Sequence, residues 1–276
     1  MGIVAGCGES SPGTATAPAP EDPGPIHVHG LGVDPADGSL FIATHTGLFR
    51  AGPTESRARR VGDSYQDTMG FTVVGPNRFL GSGHPGASGD LPPFLGLIAS
   101  RDAGRSWDAV ALQGEVDFHV LEARGRRIYG YGSDWETRQP RFLTSGDGGQ
   151  RWTRLQEPAP LISLAISPQD RRRLVASSET AVFRSDDAGA TWSKIDAPAS
   201  GFVVWLSNGI VLVDLEGRVF RATDLAGGMW RPLGSIEGQP AALDTGTRDE
   251  LLVALHDGTV KRSADAGHTW QIRSRP

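Results

Sequence analysis

The chain has 276 residues, including 37 Gly and 19 Pro, and its formal net charge is −5. This composition suits many short strands joined by turns, and a closed all-β domain of about 250 residues is of normal size. Negative charge without a basic face argues against nucleic acid as a partner, and no stretch approaches the ~18 apolar residues of a membrane-spanning helix. The arginine run at 171–173 is expected to face water.

The first 25 residues contain the only cysteine, Cys7, within the string Val4-Ala5-Gly6-Cys7. This string resembles the lipobox of bacterial lipoproteins, in which the cysteine is lipidated. The stretch from Gly8 to Pro25 has the Gly, Ser, Thr, Ala and Pro composition of a flexible tether. Six preceding residues are too few for a signal peptide. We therefore favour an exported cell-envelope lipoprotein whose true start lies upstream, against the alternative of an unmodified thiol on a disordered tail.

After the tether, strand-like runs come in groups of four with a period of roughly 40–50 residues, which is typical of β-propeller blades. The predicted fold is all-β, a six-bladed β-propeller over residues 26–276. The predicted blades cover about 26–62, 66–114, 115–160, 161–200, 201–238 and 239–276. Each blade is expected to consist of four strands that are consecutive in the chain, so that the ring closes by packing of blade six against blade one.

The pattern S-x-D-x-G-x-x-W recurs after the third predicted strand of four blades. Its members are Ser100, Asp102, Gly104 and Trp107; Ser145, Asp147, Gly149 and Trp152; Ser185, Asp187, Gly189 and Trp192; and Ser263, Asp265, Gly267 and Trp270. A degenerate copy, Thr223–Trp230, has Leu225 in place of the Asp. Ser and Asp oxygens accept backbone N–H groups nearby, and Gly supplies a positive φ. The pattern thus predicts a structural hairpin between third and fourth strands, with the Trp packing on a neighbouring sheet.

These repeats resemble the Asp-box (BNR) repeats of sialidases, sortilin-type domains and related β-propellers. The segments HVHGLGVDP at 27–35, ATHTGLFR at 43–50 and SGHP at 82–85 further resemble a bacterial group of exported Asp-box proteins labelled glycosylhydrolase-like. The resemblance covers nearly all of residues 26–276. It implies the propeller fold with the Asp boxes away from the functional centre, and it implies no particular reaction.

The face opposite the repeats collects the loops before each first strand and the turns between second and third strands. In blades one to three these loops carry five of the seven histidines: His27, His29, His45, His84 and His119. They also carry Tyr65, Asp67, Met69, Asp90, Asp117, Asp134, Trp135 and Glu136. Lengthened loops on a rigid ring are typical of binding sites. The sequence therefore predicts a ligand site at the channel mouth formed by blades one to three.

The first functional hypothesis is binding of a glycan or a metal ion at this mouth. Histidines beside Asp and Met suit a transition metal, and the H-x-H pair at 27–29 places both imidazoles on one side of a strand. All five histidines are candidate metal ligands, and no other cofactor is expected. Trp135 would suit stacking on a sugar ring. The alternative is that the histidines only hydrogen-bond loop backbones.

The second hypothesis is a glycoside hydrolase, with Asp67, Asp117, Asp134 and Glu136 as candidate catalytic carboxylates. A sialidase is not expected, because it requires an arginine triad and a Tyr–Glu nucleophile pair, and Tyr65 is the only tyrosine on the predicted face. The third hypothesis is a protein-binding assembly factor or receptor-like scaffold. In each case we expect a monomer whose contact with a membrane runs only through the lipid anchor.

Overall fold

The computed structural model describes residues 22–63, 65–86, 91–223 and 229–276. These residues form six four-stranded antiparallel sheets, and the one helical element among them is a single 3-10 turn, Thr247–Asp249. Cys7, Asp90 and most of the predicted tether lie outside the described residues. Within them, no helix has the length and apolar character needed to cross a membrane.

Each sheet is a meander in which four consecutive strands pair with their sequence neighbours. Blade one contains β1 (Val28–Val33), β2 (Leu40–Thr44), β3 (Gly47–Ala51) and β4 (Arg59–Arg60). Blade two contains β5 (Asp67–Gly75), β6 (Arg78–His84), β7 (Leu97–Ser100) and β8 (Asp108–Ala111). Blade three contains β9 (Val116–Arg124), β10 (Arg127–Asp134), β11 (Pro140–Ser145) and β12 (Thr153–Leu155).

The second half of the chain repeats this arrangement. Blade four contains β13 (Ser163–Ile166), β14 (Leu174–Ser177), β15 (Val182–Ser185) and β16 (Ser193–Ile195). Blade five contains β17 (Gly201–Leu206), β18 (Gly209–Asp214), β19 (Arg218–Ala222) and β20 (Arg231–Ser235). Blade six contains β21 (Pro240–Thr245), β22 (Leu251–Leu255), β23 (Val260–Ser263) and β24 (Gln271–Ser274). The chain is a six-bladed β-propeller, as predicted.

The hydrophobic core is divided into six clusters, each lying between two neighbouring blades. Between blades one and two, for example, Phe41 and Phe79 meet edge to face with ring centroids 4.6 Å apart. Because strand residues alternate between two faces, each blade contributes one face to the cluster before it and one to the cluster after it. The ring is therefore held together by apolar packing between sheets.

The four intact repeats lie between the third and fourth strands of their blades and share one hydrogen-bond pattern. In blade four, Ser185 Oγ accepts from the backbone N–H of Gly189 at 2.9 Å and donates to Asp187 Oδ1 at 2.8 Å. Asp187 in turn accepts from the backbone N–H and the hydroxyl of Thr191 at 2.8 and 2.6 Å. Ser, Asp and Thr thus close the turn through their side chains.

Two consecutive residues with positive φ turn the chain in each repeat, such as Ala103 at 60° and Gly104 at 82° in blade two. A Cβ atom at Gly104 would lie 2.2 Å from Leu48 Cδ2 of blade one. Gly149 has the same relation to Leu97 of blade two, at 2.3 Å. The repeat glycine is therefore required both by its backbone conformation and by the close approach of the preceding blade.

Blades one and six meet directly, and within the described part of the chain they share no strand. Their apolar cluster includes Ile42 from blade one and Leu252 from blade six. The guanidinium of Arg273 donates to the carbonyl oxygens of Gly52 at 2.8 Å and Glu55 at 2.9 Å across the junction. Contacts between complete blades therefore close the ring.

Residues 22–25, which the sequence places in the tether, contact blade one. Asp22 Oδ1 lies 2.5 Å from Arg60 Nη2, and the Gly24 carbonyl accepts from Thr46 Oγ1 at 3.1 Å. Thr46 belongs to the turn between β2 and β3. The chain thus approaches the ring from the face opposite the repeats.

Candidate metal centre at the channel mouth

The predicted site residues of blades one to three lie at one end of their strands. His29 is the second residue of β1, Asp67 is the first residue of β5, and Asp117 is the second residue of β9. His45 is in the turn between β2 and β3, and His84 ends β6. First strands run away from this end and second strands return to it, so the side chains gather on the face opposite the repeats.

The first group, which we call the Asp67 cluster, consists of His29, His45 and Asp67. His45 Nδ1 lies 2.8 Å from Asp67 Oδ2, and His29 Nε2 lies 3.6 Å from Asp67 Oδ1. One ligand atom from each residue can be chosen such that all three lie within 4.8 Å of one another. Among the described residues, no other group of three His, Cys, Asp or Glu side chains is this compact.

Two polar atoms of the Asp67 cluster are buried without a hydrogen-bond partner: His29 Nε2 and Asp67 Oδ1. A buried polar atom left unpaired costs about 1–3 kcal/mol. The 3.6 Å between them is too long for a hydrogen bond and close to the ~3.3 Å between two ligands of a tetrahedral zinc ion with ~2.0 Å bonds. A cation between the two atoms would satisfy both.

Burial lowers the pKa of His29, and the neighbouring His45, His119 and His27 lower it further, while the charge of Asp67 opposes the shift. The imidazole is therefore neutral at neutral pH. A neutral imidazole with an unshared electron pair is the form that coordinates a metal ion.

The second group, the Asp117 cluster, consists of His84, Asp117 and His119. The Asp117 side chain is 2% exposed; its Oδ2 lies 2.9 Å from His119 Nε2 and 3.3 Å from His84 Nε2. Its Oδ1 is buried and unpaired. The hydrogen bond from His119 to Asp117 raises the pKa of His119, against an opposing effect of burial. This cluster is a hydrogen-bonded carboxylate between two imidazoles.

The structure thus divides the five histidines into two groups and leaves His27 beside the first. The ring centroid of His27 lies 6.1 Å from that of His45, and its backbone accepts a hydrogen bond from the His45 N–H. His27 also has a φ of 52°, a left-handed conformation that is uncommon for residues other than Gly. Met69 is half-buried in β5, two residues beyond Asp67.

Asp134 is committed to its own loop between β10 and β11. Its Oδ1 accepts from the backbone N–H and hydroxyl of Thr137 at 2.8 and 2.9 Å, and its Oδ2 lies 3.0 Å from Arg141 Nε. The hydrogen bonds from Thr137 lower the pKa of Asp134. A carboxylate held ionised in this way is poorly suited to act as a general acid.

Trp135 packs within the same region of the face. Its ring meets Phe94 edge to face at 5.0 Å, and the guanidinium of Arg138 lies over it at 4.2 Å. Phe94 also contacts the His84 ring at 5.3 Å, which links this aromatic group to the Asp117 cluster. Glu136 is exposed, and Tyr65 is exposed with Arg60 4.0 Å above its ring.

The channel contains two carboxyl groups that the sequence analysis did not select, Glu122 in β9 and Asp244 in β21. Both line a cavity of about 360 Å³ surrounded by the first strands of all six blades. Burial raises the pKa of Glu122 well above its usual range, with a further contribution from the charge of Asp244, and Arg124 opposes the shift. Burial likewise raises the pKa of Asp244 to about 7, although the hydrogen bond from the backbone N–H of Thr245 acts to lower it.

Both channel residues also line the narrower space that leads to His29 and His119. They were missed because each lies within a first strand, away from the loops in which site residues were sought. The sequence did contain a signal for them. First strands surround the channel of a propeller, so an acidic residue within a first strand faces either the channel or an apolar cluster between blades, and the channel is the more favourable of the two for a carboxyl group.

No family model matches the chain. Among curated proteins, a xyloglucanase of Acetivibrio thermocellus is 27% identical over 155 residues, which cover 51% of this chain and 17% of that enzyme. The chain therefore matches only a small part of the length of this relative.

Solved structures share the fold at low sequence identity. A gluconolactonase from Xanthomonas campestris superposes with a TM-score of 0.63 at 14% identity, covering 82% of each chain. An ancestral GH74 enzyme superposes with a TM-score of 0.56 at 14% identity, covering 94% of this chain and 40% of that enzyme. At these identities the similarities show the β-propeller fold alone.

Proposed function

We propose that the protein binds a divalent transition-metal ion at the channel mouth, with His29, His45 and Asp67 as ligands. The observation that carries the proposal is a buried imidazole nitrogen facing a buried carboxylate oxygen at 3.6 Å, neither of which has a hydrogen-bond partner. In this proposal the propeller is exported, is anchored through Cys7, and presents the metal on the face opposite the repeats.

The ligand set favours a metal of the zinc and copper class. Imidazole and carboxylate together suit these ions, and three protein ligands leave a fourth position for water or an external molecule. The His45 side chain is 61% exposed, so that position can be reached from solvent. The arrangement therefore supports ligand exchange at the ion as well as binding of the ion itself.

The decisive experiment is calorimetric titration of the metal-free protein with zinc and with copper. We expect one ion per chain, and a loss of affinity of about 100-fold or more in His29→Ala. His256→Ala is the matched control, because His256 is an exposed histidine at the corresponding turn of blade six. Equal affinities in the two variants, or no binding by the wild type, would refute the proposal.

A hydrolase is the second candidate function, and the Asp117 cluster favours it. His119 donates from Nε2 to a buried carboxylate at 2.9 Å, which leaves Nδ1 as the proton acceptor of a neutral imidazole. A carboxylate that orients a histidine is the arrangement used for general-base catalysis. The cluster lies beside the proposed metal ligands, since the charge of Asp67 acts on His119.

The hydrolase candidate is tested with xyloglucan and with an aldonolactone, the substrate types named for the two similar enzymes. Turnover should require the metal, and it should fall in His119→Ala while zinc affinity is retained. The control is His268→Ala, at an exposed repeat position. Turnover that survives His119→Ala would exclude this histidine as the base, whereas no turnover by the wild type would leave metal binding as the function.

A further inference from the structure

A cleft on the repeat face, between blades three and four, is lined by four arginines. Arg126 and Arg127 come from the turn between β9 and β10, and Arg171 and Arg172 from the corresponding turn of blade four. The cleft, which we call the arginine cleft, has a volume of about 500 Å³. Two chain segments separated by more than forty residues thus bring four arginine residues to one cleft.

Two arginine side chains of the cleft lie against glycines of blade three. Arg171 Nη1 is 3.1 Å from the position that a Cβ atom would take at Gly125, which places an arginine of blade four against blade three. The guanidinium of Arg127 lies over Gly146 at 3.6–3.8 Å from the corresponding point. One arginine from each of the two blades therefore lies against the backbone of blade three.

The positive charge of the cleft has little compensation. Among the described residues, none of the four guanidinium groups forms an ion pair with a carboxylate within 4 Å, although other arginines of the chain do. Arg126 Nη2 donates to a backbone carbonyl, that of Asp147, at 2.7 Å. The Asp147 carboxylate is itself paired with Arg151 at 2.8 Å. Of the residues that the structure describes, Asp170 is the one acidic residue lining the cleft.

A cluster of this kind is unusual in a chain whose formal net charge is −5. Like charges held together repel, and a structural role would be served better by apolar or mixed-charge side chains at the same turns. Guanidinium groups match the oxygens of a phosphoryl group with two parallel hydrogen bonds each. A dianionic or polyanionic group is therefore the ligand that complements the cleft.

We propose that the arginine cleft binds a phosphoryl-bearing anion, through Arg126, Arg127, Arg171 and Arg172. The site is independent of the Asp67 cluster, because it lies on the opposite face and contains none of its residues. Two sources share this chemistry: a soluble polyphosphate and the headgroups of an anionic phospholipid surface. The proposal concerns the phosphoryl group, and the experiment separates the two sources.

The experiment measures binding of inorganic pyrophosphate by calorimetry, and cosedimentation with phosphatidylcholine vesicles with and without phosphatidylglycerol. The cleft variant is Arg171→Ala/Arg172→Ala, because both side chains are exposed. The control variant is Arg78→Ala/Arg101→Ala, which removes the same charge from exposed arginines on the repeat face of blade two. Melting temperatures of both variants verify the fold.

We expect the wild type to bind either pyrophosphate or the phosphatidylglycerol vesicles. This binding should be about 10-fold or more weaker in the cleft variant and little changed in the control variant. Loss of pyrophosphate binding in the cleft variant identifies a soluble anion, and loss of binding to phosphatidylglycerol vesicles alone identifies a headgroup. Binding in neither arm, or equal losses in the cleft and control variants, would overturn the proposal.

Discussion

The repeat turns and the Asp67 cluster both combine carboxylates with neighbouring donors, but they differ in how completely those groups are satisfied. In the turn of blade four, Ser185 and Asp187 make hydrogen bonds to each other and to Gly189 and Thr191. In the Asp67 cluster, a nitrogen of His29 and an oxygen of Asp67 are buried and unpaired. A carboxylate whose hydrogen bonds are complete stabilises a turn, whereas an incomplete one is available to a ligand.

The difference also explains why the repeats indicate fold and say little about function. Their hydrogen bonds run within eight residues, so each copy can form its turn wherever it occurs in the ring. The Asp67 cluster requires blades one and two to be side by side, since His29 and His45 belong to the first and Asp67 to the second. It exists only in the assembled propeller.

The largest effect that would sharpen this comparison is stabilisation by metal. Zinc at about 1,000 times its dissociation constant should stabilise the wild type by about 4 kcal/mol, which raises the melting temperature by about 8–16 °C. Asp67→Asn should lose this increase and keep its stability in metal-free buffer, because Asp67 Oδ1 has no hydrogen-bond partner there to lose. Differential scanning calorimetry with and without zinc measures both. A marked loss of metal-free stability would show that the cluster is structural.

The second prediction concerns the pH dependence of stability. It uses the substitution Asp244→Asn, at one of the two carboxyl groups in the channel below the site. The folded-state pKa of Asp244 is about 7, above the ~3.9 of an unfolded chain, so the folded state retains a proton that the unfolded state releases. Its contribution is fully stabilising below about pH 4 and is lost as pH rises through 7. The variant should therefore gain about 4 kcal/mol over wild type between pH 4 and pH 8. Urea denaturation across this range tests it, and a difference independent of pH would contradict it.

A smaller effect is expected on the repeat face, from Ser185→Ala. The side chain is 2% exposed, and its loss leaves the buried N–H of Gly189 without its acceptor. The free energy of unfolding should fall by about 2 kcal/mol, as measured by urea denaturation, while zinc affinity stays unchanged. A change in zinc affinity would mean that the two faces are coupled and that the comparison fails.

The smallest expected effect is a loss of stability in Asp102→Asn that disappears at acidic pH. The hydroxyl and backbone N–H of Ser106 lower the pKa of Asp102 to about 2, so its contribution is present above about pH 4 and is lost as pH falls towards 2. Because the carboxylate is partly exposed, screening limits the contribution to about 1 kcal/mol. Asp102→Asn should be less stable than wild type at pH 7 and equal to it near pH 2. The exposed Asp108→Asn serves as control, and a deficit that persists at pH 2 would count against the explanation.

The sequence predicted what depends on local pattern. Four copies of an eight-residue pattern positioned the third and fourth strands of their blades. The face of His29 and His45 followed from topology, because loops of one class share one end of a propeller. These features need only neighbouring residues and the known connectivity of a meander.

What the sequence could not supply depends on pairing between blades. Nothing in the chain order indicates that Asp67 faces two histidines of blade one while Asp117 faces His84 and His119. Burial decides the behaviour of Glu122 and Asp244, and burial is a property of the closed ring. The arginine run at 171–173 was expected to face water, and its proximity to Arg127 is visible only after blades three and four are adjacent.

The junction between blades one and six has a consequence for chain connectivity. Arg57 and Arg275 form a bridge across it, yet every sheet is complete without a strand from elsewhere. The chain could therefore begin and end at a different blade without changing which blades are neighbours in the ring. A circular permutant, linked across this junction and opened between two other blades, would break no sheet and would retain all six interfaces.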